Sequence, residues 1–130
     1  MNNLNITERR NGSVVVLDLK GKIKIGEANL ELHEILRSLL EKGEKRILLN
    51  LGEVTSIDSS GLGELVAGYA TLQKNGAELK LLNLTERVSE LMMITKLYTV
   101  FEVFETEDQA VESFESASVQ TLRSGASSIL

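Results

Sequence analysis

The spacing of apolar residues changes period several times along the chain, and each change marks an element. Leu4 and Ile6 alternate with Asn5 and Thr7, and beyond Asn11-Gly12 comes Val14-Val15-Val16-Leu17-Asp18-Leu19. Two β-type runs around an Asn-Gly pair predict an opening hairpin, because these residues accept the positive φ of a tight turn. From Glu27 to Lys42 the residues Ala28, Leu32, Ile35, Leu36, Leu39 and Leu40 recur at the spacing of one helix face, and Gly43 supplies a stop. Arg46-Ile47-Leu48-Leu49-Asn50-Leu51 is apolar at nearly every position, as expected of a strand covered on both faces of a parallel sheet.

A polar turn is expected over residues 52–60. It leads into a helix that carries Leu62, Leu65, Val66, Tyr69 and Leu72 and ends near Gly76. Leu79, Leu81 and Leu82 predict another strand, and Thr85 caps a helix carrying Val88, Leu91 and Met92. Val100 to Phe104 has the alternation of a last strand, and Thr106-x-x-Gln109 is a capping box opening a final helix with Ala110, Val111 and Phe114 inward. A hairpin followed by strand–helix–strand units predicts an α/β fold: a mixed sheet of about five strands, with an N-terminal hairpin, parallel units and about four helices. Periodicity ends near Ser118, so residues 1–117 form the expected domain and 118–130 a flexible Ser-rich C-terminal tail.

Composition removes several chemistries. The 130 residues fit one domain and contain no cysteine, which excludes disulfides, thiol nucleophiles, Cys-ligated zinc and iron–sulfur clusters. His33 is the single histidine, so multi-histidine metal sites are excluded as well. Lys and Arg total 14 against 19 Asp and Glu, a net charge of -5 that does not favour nucleic acid as a partner. The opening MNNLNITERR has no signal-peptide core, and no apolar run approaches membrane-spanning length. The expectation is therefore a cytoplasmic chain with no direct membrane insertion. No phosphate-cradling P-loop or dinucleotide fingerprint is present, and no G-x-S-x-G accompanies His33, so neither a nucleotide cofactor nor an enzyme activity is expected. Glu102, Glu105, Glu107, Asp108, Glu112 and Glu115 are spread over a strand, a cap and a helix; they read as a solvated face rather than a metal site. Met92 and Met93, with Leu91, read as core filler rather than a cofactor box, with room for one of them to be exposed beside the loop at residues 57–64.

The most unusual segment is Ile57-Asp58-Ser59-Ser60-Gly61-Leu62-Gly63-Glu64, which places small and hydroxylated residues where a buried strand meets a helix start. Asp58, Ser59 and Ser60 are all favoured N-cap residues, and the free N–H groups of a helix start also favour negative charge, so a phosphate on Ser59 or Ser60 suits the fold.

Asp58-Ser59-Ser60-Gly61-Leu62-Gly63 resembles the signature of the anti-sigma factor antagonists, bacterial members of the STAS family (sulfate transporter and anti-sigma factor antagonist). The likeness covers about residues 4–116. It includes the hairpin, the Gly21 turn after the second strand, the Ile47–Leu51 run, Gly76-Ala77-Glu78-Leu79-Lys80-Leu81, and Ile94-Thr95-Lys96-Leu97-Tyr98. It implies a small mixed sheet with helices packed mainly on one face. It further implies that Ser59 is phosphorylated by a cognate anti-sigma factor that is also a serine kinase. The unphosphorylated chain would bind that kinase and free a sigma factor; phosphorylation would end binding until a phosphatase reverses it. ATP would belong to the kinase. Asp58, Ser59, Ser60, Gly61, Leu62 and Gly63 would form the partner-binding surface. The same resemblance admits a STAS subunit of a membrane transporter complex, or a module binding a small ligand beside the loop. The chain departs from many antagonists after the second strand, where Lys20, Lys22 and Lys24 stand in place of an acidic residue.

Overall fold

A computed structural model describes residues 4–24 and 27–115, with the backbone alone at 27–29. The expected tail and the domain end at 117 lie outside the described residues. Strand β1 (Leu4–Asn11) turns back through Gly12 and Ser13 into β2 (Val14–Ile23), with Asn11 opposite Val14 and Leu4 opposite Gly21. Strands β3 (Arg46–Ile57), β4 (Glu78–Leu82) and β5 (Val103–Phe104) add in parallel, giving the order β1-β2-β3-β4-β5. Helix α1 (Glu27–Glu41) joins β2 to β3, α2 (Ser59–Lys74) joins β3 to β4, and α3 (Glu86–Thr95) with a 3-10 turn at Leu97–Thr99 joins β4 to β5. Residues 107–115 form α4. The chain is thus the expected α/β domain with a five-stranded mixed sheet and four helices.

Because side chains alternate across a sheet, each strand feeds two cores. One face carries Val15, Leu17, Leu19, Ile23, Ile47, Leu49, Leu51, Leu79 and Leu81, covered by Leu32, Leu36 and Leu39 of α1, Leu65 and Leu72 of α2, and Val88 and Met92 of α3. The other face carries Val14, Val16, Leu48 and Leu82 under Ala110, Val111 and Phe114 of α4. Three helices on one face and one on the other explain why the β2 and β3 runs read as continuously apolar. Gly43 and Gly76 take the left-handed φ (+84° and +78°) expected of helix stops. Thr85 Oγ1 accepts from the Val88 N–H at 3.4 Å, and Thr106 Oγ1 from that of Gln109 at 3.2 Å, so both predicted caps form.

Three expectations need correction. Residues 52–57 continue β3 instead of forming a turn. The β2–β3 register shifts twice, between Asp18 and Lys20 and between Gly21 and Lys22, so Val54 and Ile57 both reach the core although they are three residues apart. That spacing conceals the strand from a period-two reading. Gly21, with φ +116°, is likewise an irregularity inside β2 and not a turn after it. Strand β5 begins only at Val103, because Leu97–Thr99 tighten into a 3-10 turn and Phe101 turns inward to meet Tyr69 edge-on at 5.3 Å. Of the two adjacent methionines on α3, Met92 is buried and Met93 is exposed.

Candidate functional site

Parallel strands put the starts of α1, α2 and α3 at one edge of the sheet, the carboxyl ends of β2, β3 and β4, where α/β folds present their functional loops. Strand β3 delivers Asp58 to that edge. The Asp58 N–H donates to the Ile23 carbonyl at 3.3 Å, its side-chain Oδ1 accepts from the Gly61 N–H at 2.8 Å, and its carbonyl accepts from the Leu62 N–H at 2.9 Å. Asp58 is therefore the N-cap of α2, and Ser59 and Ser60 are its first two residues, both exposed.

The next residues divide between anchoring and openness. A Cβ on Gly61 would lie 2.1 Å from the Ile23 carbonyl oxygen, so only glycine lets α2 start this close to β2. Leu62 is 5% exposed and packs in the core, which corrects its expected place on the contact surface: it anchors the loop from beneath. Gly63 is exposed, and a Cβ there would meet nothing within 4 Å. Of the six residues expected to form the surface, Ser59, Ser60 and Gly63 face outward, Asp58 is half-buried beneath them, and Gly61 and Leu62 are inside.

The electrostatic setting suits added negative charge. Helix α2 has no acidic residue in its first turn, so the Asp58 cap is the carboxylate that meets its amino-terminal dipole. Glu64, one turn beyond Ser60, is engaged by His33 of α1, whose Nδ1 lies 2.9 Å from Glu64 Oε1. That pairing ties α1 to α2 and does not connect His33 to a serine nucleophile.

On the α4 side of the sheet the chain builds a network that sequence reading missed. Arg9 Nε donates to Asp18 Oδ2 at 2.6 Å, while its two terminal nitrogens donate to Glu107 at 2.5 and 2.8 Å. Asn11 donates to Glu107 at 2.7 Å and Asn50 to Asp18 at 2.8 Å. Hydrogen bonds from Arg9, then Asn11, hold the Glu107 carboxyl down at about 2 against the opposing effect of burial. Asp18 is also lowered, first by Arg9 and then by Asn50. Glu107 is thus a structural ligand of the guanidinium and not merely part of a solvated acidic face. A polar groove of 440 Å³ lined by Thr7, Arg9, Asp18 and Asn50 runs beside it, and an apolar cleft of 200 Å³ separates α1 from α2. Neither is lined by residues 58–63. Among the described residues no cluster of His, Asp and Glu could hold a metal ion, and no helix is long and apolar enough to cross a membrane.

The fold and the Asp58–Gly63 loop define a STAS domain. The STAS domain model matches residues 5–110, and the chain belongs to that family. It is 32% identical to the anti-sigma-B factor antagonist of Bacillus subtilis (strain 168) over 111 residues, 85% of this chain and 99% of that protein. It is 36% identical to the anti-sigma-B factor antagonist of Staphylococcus aureus (strain NCTC 8325 / PS 47) over 75 residues, 58% of this chain and 69% of that one. Among solved structures, the anti-sigma factor antagonist SpoIIAA in its unphosphorylated form superposes with a TM-score of 0.73 at 19% identity, covering 86% of this chain and 97% of its own. The phosphorylated form of Bacillus SpoIIAA superposes with a TM-score of 0.67 at 19% identity, over 85% of this chain and 99% of its own. At that identity the agreement concerns the fold alone.

Proposed function

We propose that this protein is a phosphorylation-controlled anti-sigma factor antagonist, with Ser59 as the acceptor. In its unmodified form it binds an anti-sigma factor that is also a serine kinase, and so frees a sigma factor. Phosphate on Ser59 ends that binding, and a phosphoserine phosphatase restores it. The observation that carries this reading is the exposed Ser59 hydroxyl, fixed at the first position of α2 by the Asp58 cap and by the close approach of Gly61 to β2. The curated relatives named as anti-sigma-B factor antagonists support the choice of partner class.

The switch needs no change of fold. A phosphate adds about -1.5 to -2 charges where the partner meets a neutral hydroxyl. A hundredfold loss of affinity corresponds to about 2.7 kcal/mol, within the cost of burying one uncompensated charge. The work of this chain is to be bound and to be modified, in the cytoplasm and without contact with DNA.

The test has two arms. Phosphate is mapped by mass spectrometry on protein isolated from its native cells under growth and stress, and condition-dependent phosphate on Ser59 is expected. The wild type, Ser59→Ala and Ser59→Asp then serve as baits in lysate from the same cells. A serine kinase recovered by the first two and lost by the third supports the reading; equal recovery by all three, or no phosphate on Ser59 where the protein is abundant, overturns it.

A further inference from the structure

The carboxyl end of β2 carries Lys22 and Lys24, and the β2–β3 ladder leads them to Ser59. Lys22 stands opposite Ser56 and Ile23 opposite Ile57, so Lys24 comes abreast of the first turn of α2. The contact is tight: the Ile23 carbonyl, one peptide bond from Lys24, accepts from the Asp58 N–H and lies against Gly61. A four-carbon lysine stem at position 24 is long enough to span the gap between adjacent strands, about 4.8 Å, towards the start of α2. Both lysines are exposed, and among the described residues neither forms an ion pair, whereas Lys20 faces Glu53 at 3.7 Å. Helix α2 has no acidic residue in its first turn, so among the described residues the carboxylate at the helix start is that of the Asp58 cap, and the two lysines lie on the strand end beside it.

We propose that Lys24, assisted by Lys22, is the built-in counter-charge of phosphorylated Ser59, folding onto the phosphate and cancelling the positive field that the unmodified loop presents. The proposal rests on Ser59 as the acceptor and adds how the modified state is held. Before modification the loop carries two lysines against one aspartate; a phosphate of about -1.5 to -2 reverses that balance. A partner recruited through its own acidic groups would then lose both the neutral hydroxyl and the ammonium groups facing it, so one modification acts twice. Lys24 is a positioning residue for the phosphate, and because the residue is exposed its replacement should leave the unmodified fold intact.

The experiment is a double-mutant cycle on the full chain, with phosphoserine incorporated at position 59 during synthesis so that no kinase is needed. Melting temperatures are measured at pH 7.5 for the unmodified and phosphorylated forms of wild type, Lys24→Gln, Lys22→Gln and Lys24→Arg. The expected result is that phosphorylation leaves Lys24→Gln about 1–4 °C less stable relative to its unmodified form than it leaves wild type, the range for one exposed ion pair. Lys22→Gln should show a smaller coupling, Lys24→Arg should retain it, and 0.5 M salt should erase it, as screening requires at roughly a 4 Å Debye length. An identical phosphorylation-induced shift in wild type and Lys24→Gln at low salt overturns the proposal. Because the phosphate is installed chemically, that result leaves the assignment of Ser59 standing, and a failure to find phosphate on Ser59 in cells would leave the coupling standing.

Discussion

The carbonyl oxygen of Ile23 occupies the space that a side chain on Gly61 would need, 2.1 Å from the position of its Cβ. That approach joins the end of β2 to the start of α2 and sets the height at which Ser59 emerges. Gly61→Ala forces backbone against backbone, where no flexible side chain can yield, and should cost about 1–3 kcal/mol. Gly63→Ala, in the same helix turn but facing open space, should be neutral or stabilising by up to about 1 kcal/mol. Urea midpoints of the two variants check the contrast, and similar losses in both would remove the packing role assigned to Gly61.

Gly63 also separates stability from recognition. If the partner approaches closely over Ser59, the methyl group of Gly63→Ala stands in its way while the fold is unharmed. The variant should keep its melting temperature and lose affinity for the recovered kinase several-fold. Full affinity would place the contact surface elsewhere on α2.

The Asp58 side chain is the only described side chain shown accepting from an N–H of the first turn of α2, here that of Gly61 at 2.8 Å. Asp58→Ala should cost about 0.5–2 kcal/mol, and Asp58→Asn, which keeps an acceptor oxygen, much less. Amide hydrogen exchange should rise first at residues 59–63 in the alanine variant. Unchanged exchange there would show that the loop holds its shape without the cap.

Much of this site was legible in the sequence, and the remainder was hidden for specific physical reasons. Asp58 before two serines and two glycines, at the end of an apolar run, marks a strand-to-helix junction because cap chemistry is local. The burial of Leu62 was equally available, since Leu62, Leu65, Tyr69 and Leu72 lie on one helical stripe; assigning it to the surface treated the motif as a unit where the helix turns it into two faces. The strand at 52–57 was not legible, because β3 carries an extra residue at each of its two register shifts against β2, which breaks the alternation that marks a strand. The Arg9–Glu107 link joins residues 98 apart in sequence and has no local signature. Only the pairing of Arg9 with Val16 across the hairpin, with Val16 beneath α4, brings them together.

That link should make the protein's stability fall in acid. Glu107 is held from 4.5 down to about 2 in the folded state, chiefly by Arg9, and Asp18 is lowered by the same guanidinium. A carboxyl depressed by folding stabilises the native state above its unfolded pKa and loses that contribution as pH falls through the folded value. The stabilisation is therefore complete above about pH 5 and disappears towards pH 2. Glu107→Gln should be less stable than wild type at pH 7 and show a flatter profile between pH 5 and 2. Parallel profiles, measured by urea unfolding at each pH, would assign the acid sensitivity to other carboxylates.

Lys80 gives the sharpest test of what holds α4 to the sheet. Its ammonium group, on a residue only 3% exposed, donates to Ser113 Oγ at 2.9 Å, lies 4.6 Å from the centre of the Phe114 ring and 5.8 Å from that of Phe104, and approaches Glu102 at 3.5 Å. Two contributions coincide here, the apolar stem filling space between aromatic rings and the charge meeting a hydroxyl, two π faces and two carboxylates, Glu102 and, at 3.8 Å, Glu78. Lys80→Ala removes both and leaves a cavity, for about 2–4 kcal/mol. Lys80→Met keeps the stem and discards a charge whose desolvation offsets most of its attraction, so it should fall within about 1 kcal/mol of wild type or exceed it. Ser113→Ala takes away the hydroxyl while the ammonium stays buried, and should cost about 1–2 kcal/mol. Urea unfolding of the three variants decides between stem and charge. If Lys80→Met is as damaging as Lys80→Ala, the ammonium itself clamps α4, and high salt should then loosen the helix in the wild type.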